Sequence, residues 1–202
     1  MSTTDQPPVI PRPAASLVVL REAAAPAVLM GMRGAKHRFM PNRLVFPGGA
    51  VDEADYAAPH ATPLKPDVQR RLEKSASADL ARAFGIAAAR ELLEETGLSL
   101  GEPPDLDALD YLCRAVTPEG SPMRFDAHFL VVRAERVQGT LAGSGELEDL
   151  RWIGVAEALA LDIAIPTRGV LTRLQAWMEM SEDERRAQTA VHGLYNRTWV
   201  LE

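Results

Sequence analysis

The sequence predicts an α/β fold: a mixed β-sheet sandwiched between helices. Short apolar or alternating runs with strand character recur along the chain, and helical patterns lie between them. Size and composition agree. The chain has 202 residues, 47% of them hydrophobic and 25% charged, enough for one domain that buries roughly 70% of its unfolded surface.

Taken in order, residues 1–15 carry Pro7, Pro8, Pro11 and Pro13 and read as a flexible tail. A single domain is expected over 16–202. Runs 16–20 and 27–33, joined by a turn at 22–26, predict a strand pair. A short apolar run at 43–46 ends in Pro47-Gly48-Gly49, a loop signal. Helices are predicted over 66–75, opened by Pro66 and Asp67, and over 78–96. Ser77 suits the N-cap of the second and Gly97 its C′ position. Strands follow at 123–134 and 149–155, then helices at 156–161 and 167–180. The alanine richness reads as genome composition. The stretch after Ser181 offers no motif.

The formal net charge of −6 argues against a nucleic-acid partner. A polyanionic substrate then needs a cation or a local basic patch. One cysteine, Cys113, allows no internal disulfide and suits a reducing, cytoplasmic compartment, where it reads as a small buried hydrophobe. The apolar stretch 17–32 is broken by Arg21, Glu22 and Pro26, so no membrane span is expected. The first sixteen residues have no signal-peptide core. His37, His60, His128 and His192 lack metal-ligand spacing.

The informative segment is Arg90-Glu91-Leu92-Leu93-Glu94-Glu95-Thr96-Gly97-Leu98. On a helix, Glu91, Glu94 and Glu95 share one face. Like charges at that spacing, near a helix C-terminus, oppose both pair and dipole energetics. A cluster of hard oxygen ligands for Mg²⁺ or Mn²⁺ explains the placement.

This segment resembles the second half of the Nudix box, Gly-x5-Glu-x7-Arg-Glu-U-x-Glu-Glu-x-Gly-U with U aliphatic, and fits it without a mismatch. Gly49, five residues and Asp55 resemble the first half, with Asp for Glu. The spacer departs: 34 residues separate Asp55 from Arg90, against seven in the family, and strict spacing would put Arg82 at the acid's position. The box is therefore read as split by an insertion of about 27 residues within 56–83. The resemblance implies the Nudix fold and a Mg²⁺- or Mn²⁺-dependent hydrolase. Its substrate would be a nucleoside diphosphate linked to another moiety. It implies Glu94 and Glu95 as metal ligands, with the Gly48 carbonyl adding a further oxygen. Glu91 would be a ligand or orient the water, and Arg90 would hold a glutamate in place. The general base stays open between Glu91 and a later-loop carboxylate, Glu146 or Glu148.

Upstream, Leu29-Met30-Gly31, Arg33, Arg38, Asn42 and Phe46-Pro47-Gly48-Gly49 resemble the pattern of a coenzyme A-directed Nudix subgroup, with both arginines correctly spaced. The run 39–52, Thr117-Pro118-Glu119 and Arg124-Phe125-Asp126 are similar to the peroxisomal coenzyme A diphosphatase-like branch. That resemblance implies coenzyme A or acyl-CoA as substrate, cleaved to a 4′-phosphopantetheine and adenosine 3′,5′-bisphosphate. Arg33, Arg38 and Arg43 are candidates for binding phosphate. Arg70, Arg71 and Lys74 lie in the inserted stretch, where five basic residues face three acidic ones for a net +2. Trp152, Trp177 and Trp199 suit either base stacking or the core. ADP-ribose, NADH or a dinucleoside polyphosphate is the alternative substrate, and a non-catalytic nucleotide sensor the alternative class. A homodimer, with the early strands pairing across a two-fold axis, stays open.

Overall fold

The computed structural model describes residues 9–34, 42–143 and 145–202. In chain order these form β1 (Arg12–Arg21), β2 (Ala27–Arg33), β3 (Leu44–Val45), β4 (Gly48–Ala50), α1 (Pro66–Leu72), α2 (Ala78–Thr96), β5 (Leu98–Ser99), β6 (Asp110–Val116), β7 (Phe125–Arg133), β8 (Gln138–Gly139), β9 (Leu147–Gly154), α3 (Val155–Ala160), α4 (Ile165–Met178), α5 (Glu182–Ala187), β10 (His192–Tyr195) and β11 (Thr198–Leu201). Among the described residues, nine strands make one mixed sheet in the order β11-β10-β6-β7-β1-β2-β3, with β4 paired to β1 and β9 to β2. The pairs β1–β7 and β6–β10 are parallel.

β1 is central and covered on both faces, which is why its sequence is an almost unbroken apolar run. Ala15, Leu17 and Val19 join one core with Val68, Leu72, Phe84, Ala88 and Leu92 of α1 and α2. Val18 and Leu20 point the other way, into a second core with Val170, Leu171, Leu174 and Trp177 of α4. Burial of each such Leu or Val contributes about 1.5–3 kcal/mol. The expected helix–sheet–helix sandwich is the observed one.

The strand starts four residues inside the stretch expected to be a tail. Arg12 donates its N–H to the Arg124 carbonyl and Val51 donates to the Pro13 carbonyl, so β1 is tied on both sides without an N–H from Pro13. Pro47-Gly48-Gly49 is likewise not all loop: Gly48–Ala50 pair antiparallel with Ala14–Ser16. α2 matches its expected bounds and caps. The Ser77 side chain accepts the Leu80 N–H, and Gly97 takes the left-handed conformation at φ 72°. Ala81, Ala83, Ala87 and Ala88 are buried, so part of the alanine richness is packing: small side chains bring α2 close to the sheet. The stretch 56–83 is not a loose appendage. Its Leu64, Val68, Leu72 and Ala81 lie in the same core as Phe84.

β6 shows no clean alternation in sequence because a bulge shifts its register between Tyr111 and Cys113. Leu112 and Cys113 consequently both face the second core, with Cys113 fully buried. The residues after Ser181 are structured too. Ser181 caps α5, and β10 extends the sheet beside β6.

A buried polar cluster sits under α2. His128 is 1% exposed, 4.2 Å from the Phe84 ring, with Nδ1 3.1 Å from the Tyr111 hydroxyl and Nε2 3.4 Å from Ser75 Oγ. Burial pushes its pKa down to about 4, opposed by Asp126. Between the unfolded value near 6.5 and this folded value, the unfolded state binds a proton that the folded state does not. Stability should therefore fall as pH drops from about 6.5 to about 4. In His128→Asn, urea unfolding over that window should show a slope shallower by about one proton. An identical slope would contradict this account.

Candidate functional site

The site grows from one helix face meeting one short strand. β4 lies beside the last turns of α2, and a 3₁₀ turn (Glu53–Tyr56) follows β4. Asp55, in that turn, is 1% exposed. Arg90 Nε and Nη2 donate to its two oxygens at 2.9 and 3.0 Å, a bidentate pair. Nη2 also donates to the Ala50 carbonyl at 3.0 Å. Nη1 donates to Glu91 at 2.8 Å and Glu94 at 3.1 Å. The bond to Asp55, and behind it Glu91, raises the Arg90 pKa above its ordinary value against the effect of burial. Asp55 is thus the anchor of Arg90, which in turn sets two of the three helix glutamates.

Glu95 is nearly buried, and Gly48 donates its backbone N–H to Glu95 Oε2 at 2.8 Å. Burial pushes its pKa up to about 7, against the pull of the Gly48 N–H; Glu91 and Glu146 raise it further and Arg33 lowers it. Burial raises Glu91 too, with Arg90 opposing and Glu94 and Glu146 adding to it. Glu146 is exposed on the turn before β9 and close enough to act on both. Glu94 is the most exposed of the helix glutamates, with 54% of its side chain open. Glu148 is on β9, paired with Met32, rather than in a loop. Glycine at 49 leaves room for Glu91: a Cβ there would overlap Glu91 Oε1 and force that carboxylate to shift.

The structure brings Gly48, Arg90, Glu91, Glu94, Glu95 and Glu146 to one place. It does not gather them into a finished metal cage: among the described residues, no three His, Cys, Asp or Glu side chains are grouped to hold an ion. The reason is visible in the bonds. Arg90 draws Glu91 and Glu94 to itself, and Glu95 turns to the Gly48 N–H. The donor set nevertheless fits a hard divalent cation. Asp55, Glu91 and Glu94 are bonded to Arg90, Arg33 acts on Glu95, and two of the carboxyls are held above their ordinary pKa.

Beside this centre, on the α4 face of the sheet, lies a cavity of about 540 Å³. Its walls come from alternate residues of β1 and β7, such as Ser16 and Phe129, from Phe46, from Gly48 and Gly49, and from the first turn of α4. Arg33 lies between centre and cavity. Its Nη2 donates to the Gly48 carbonyl at 3.4 Å, and its Nε is buried without a hydrogen-bond partner among the described residues. Arg43 is not part of this wall. It faces the surface and donates to Asp162 at 3.1 Å, because Asp162 offers the nearer charge. Arg38 lies outside the described residues. The basic cluster of 56–83 is structural in part: Arg71 is buried, bonded to Asp67 at 2.8 Å and to the Tyr111 carbonyl, and Lys74 donates to the Glu202 carbonyl. No tryptophan lines the cavity. Trp177 is buried in the second core, with the Arg185 guanidinium 3.7 Å from its ring.

Two cavity arginines, Arg12 and Arg197, escape the sequence reading. Arg12 is in phase with Ala14 and Ser16 on β1, a signal visible only once the strand is known to begin at Arg12. Arg197 sits in the β10–β11 turn, which carries no glycine to announce it.

Asp55→Asn should cost about 3 kcal/mol of stability, because it leaves the Arg90 charge half-buried and poorly paired. Denaturant unfolding measures this, and a loss below about 1 kcal/mol, the value of an exposed pair, would contradict it.

Residues 81–174 match the family model for the NUDIX domain. The chain is 28% identical over 200 residues to a Caenorhabditis elegans protein that bears the name nudix hydrolase 7, covering 81% of this chain and 60% of that protein, so it spans less than two thirds of that relative's length. A NUDIX hydrolase from Alicyclobacillus acidocaldarius superposes with a TM-score of 0.64 at 27% identity, covering 83% of this chain and 92% of the other. A MutT NUDIX hydrolase from Burkholderia pseudomallei shares the fold at a TM-score of 0.55 and 20% identity, covering 82% and 99%. The match falls on the stretch of the chain that contains the carboxylate helix: residues 81–174 are similar to the NUDIX domain, and the chain shares its fold with Nudix hydrolases.

Proposed function

We propose that this protein hydrolyses the diphosphate bond of a nucleoside diphosphate linked to another moiety, with coenzyme A or an acyl-CoA as the preferred substrate. The products are then a 4′-phosphopantetheine and adenosine 3′,5′-bisphosphate. The observation that carries the reading is the position of Arg33 and Gly48, shared between the carboxylate centre and a cavity of about 540 Å³, large enough for a nucleotide-sized group. The coenzyme A preference is supported by the spacing of Arg33, Arg38 and Phe46-Pro47-Gly48-Gly49. The buried, unpaired Cys113 supports a reducing compartment such as the cytoplasm. Among the described residues, no helix is long and apolar enough to cross a membrane.

Glu91, Glu94, Glu95 and the Gly48 carbonyl would hold Mg²⁺ or Mn²⁺. Such an ion supplies neutralisation of phosphate charge and a more acidic water. The chain's own groups do the rest. Arg33 binds a diphosphate oxygen through its fork. Arg90, fixed by Asp55, holds Glu91 and Glu94 in register for the substrate. A water attacks phosphorus, the bridging P–O bond breaks, and the attacking water's proton passes to a carboxylate. Glu146 is suited to take it because it is exposed to solvent and faces Glu91 and Glu95; Glu91 is the second candidate.

Glu94→Gln and Glu95→Gln should each abolish Mg²⁺-dependent release of 4′-phosphopantetheine from coenzyme A while the circular dichroism spectrum is retained. Full activity in either variant would overturn the ligand assignment, and chelation of the divalent ion should mimic both variants. Gly49→Ala displaces a side-chain end rather than backbone, so the fold should survive while kcat drops roughly a hundredfold or more. Unchanged kcat in that variant would remove Glu91 from the reacting geometry.

A further inference from the structure

The far end of the cavity has a composition that the diphosphate chemistry does not require. In a chain of net charge −6, three arginines among the described residues line this cavity, Arg12, Arg33 and Arg197, and no described aspartate or glutamate does. Arg33 is accounted for by the carboxylate centre. Arg12 and Arg197 are not. Both are exposed, and neither side chain hydrogen-bonds or ion-pairs with a described residue. Most other arginines of the chain are matched to a carboxylate, a carbonyl or an aromatic ring, as Arg114 is to Asp126 at 2.6 Å.

Their place in the sheet separates them from the reacting centre. Gly48 pairs with Ser16, and Arg12 lies four residues further along β1, about 13 Å away. Arg197 follows Tyr195, which pairs with Val116; Val116 pairs with Asp126, and Asp126 with Pro13. That row of partners carries the β10–β11 turn to the same end of the cavity as Arg12.

The backbone of Arg197 adds an independent observation. Asn196 and Arg197 have φ of 47° and 67°, both left-handed. A two-residue hairpin turn of this type favours glycine at its second position. Arginine occupies it at a conformational cost, and its side chain lines the cavity.

We propose that Arg12 and Arg197 form a second phosphate subsite, which binds a phosphate monoester carried by the substrate apart from its diphosphate. The 3′-phosphate on the ribose of a coenzyme A-type nucleotide has this chemistry. The inference rests on the reading above for the assignment of the diphosphate to Arg33 and the helix carboxylates, and it adds the feature that would separate phosphorylated from unphosphorylated nucleotides.

The test is calorimetric binding of adenosine 3′,5′-bisphosphate and of AMP to the full chain, to Arg12→Ala and to Arg197→Gly, with coenzyme A cleavage followed in parallel. The wild-type chain should bind the bisphosphate roughly tenfold or more tighter than AMP. In each variant that preference should shrink to about threefold or less, with AMP affinity little changed. Arg197→Gly should melt at or above the wild-type temperature, because glycine relieves the left-handed turn; a merely structural Arg197 would lower it. Absence of the preference in the wild type, or its persistence in either variant, overturns the subsite. If the preference and its loss are seen but coenzyme A is not cleaved, the subsite stands and the substrate reading falls.

Discussion

The arrangement depends on the buried ion pair between Arg90 and Asp55. It joins the turn after β4 to α2, two segments 35 residues apart in sequence. A paired charge in a nearly dry position tolerates no substitute of different shape, because breaking one side strands the other. The same guanidinium spends its remaining donors on Ala50, Glu91 and Glu94. One side chain therefore fixes the distance between strand and helix and the direction of two carboxylates. The contact of Glu95 with the Gly48 N–H locks the other side of the junction. The chemistry assigned to the site follows from this frame.

Charge in the molecule is sorted by face. The end of α2 collects carboxylates that burial keeps reluctant to ionise. Among the described residues, the adjoining cavity carries arginines and apolar surface and no acid. The acidic centre has the chemistry to attract a cation, and the arginines of the adjoining wall, at its near and far ends, have the chemistry to attract anionic groups. A net charge of −6 describes neither half.

What the sequence made legible was local. α2 could be bounded to the residue because its start and stop are written in Ser77 and Gly97. β1 and β2 were visible as apolar runs because the sheet's centre is covered on both faces. β6 was hidden by its bulge, which puts two successive residues on one face and destroys the period. The β10–β11 hairpin was hidden because Asn196-Arg197 replaces the glycine that marks such turns. The role of Asp55 depended on a pairing across a long separation, and spacing alone offered only a family position. Arg43 and Arg33 looked equivalent as basic residues upstream of the glycines. Only the sheet, which turns one towards Gly48 and the other towards Asp162, tells them apart.

The most direct measurement of the central claim is mass-spectrometric product analysis of one mixture of coenzyme A, ADP-ribose and NADH incubated with the wild-type chain and Mg²⁺. The account predicts that 4′-phosphopantetheine and adenosine 3′,5′-bisphosphate accumulate first. Equal or faster release of AMP and ribose 5-phosphate from ADP-ribose would contradict the substrate assignment. Three substrates left intact would contradict the hydrolytic reading of the carboxylate helix itself.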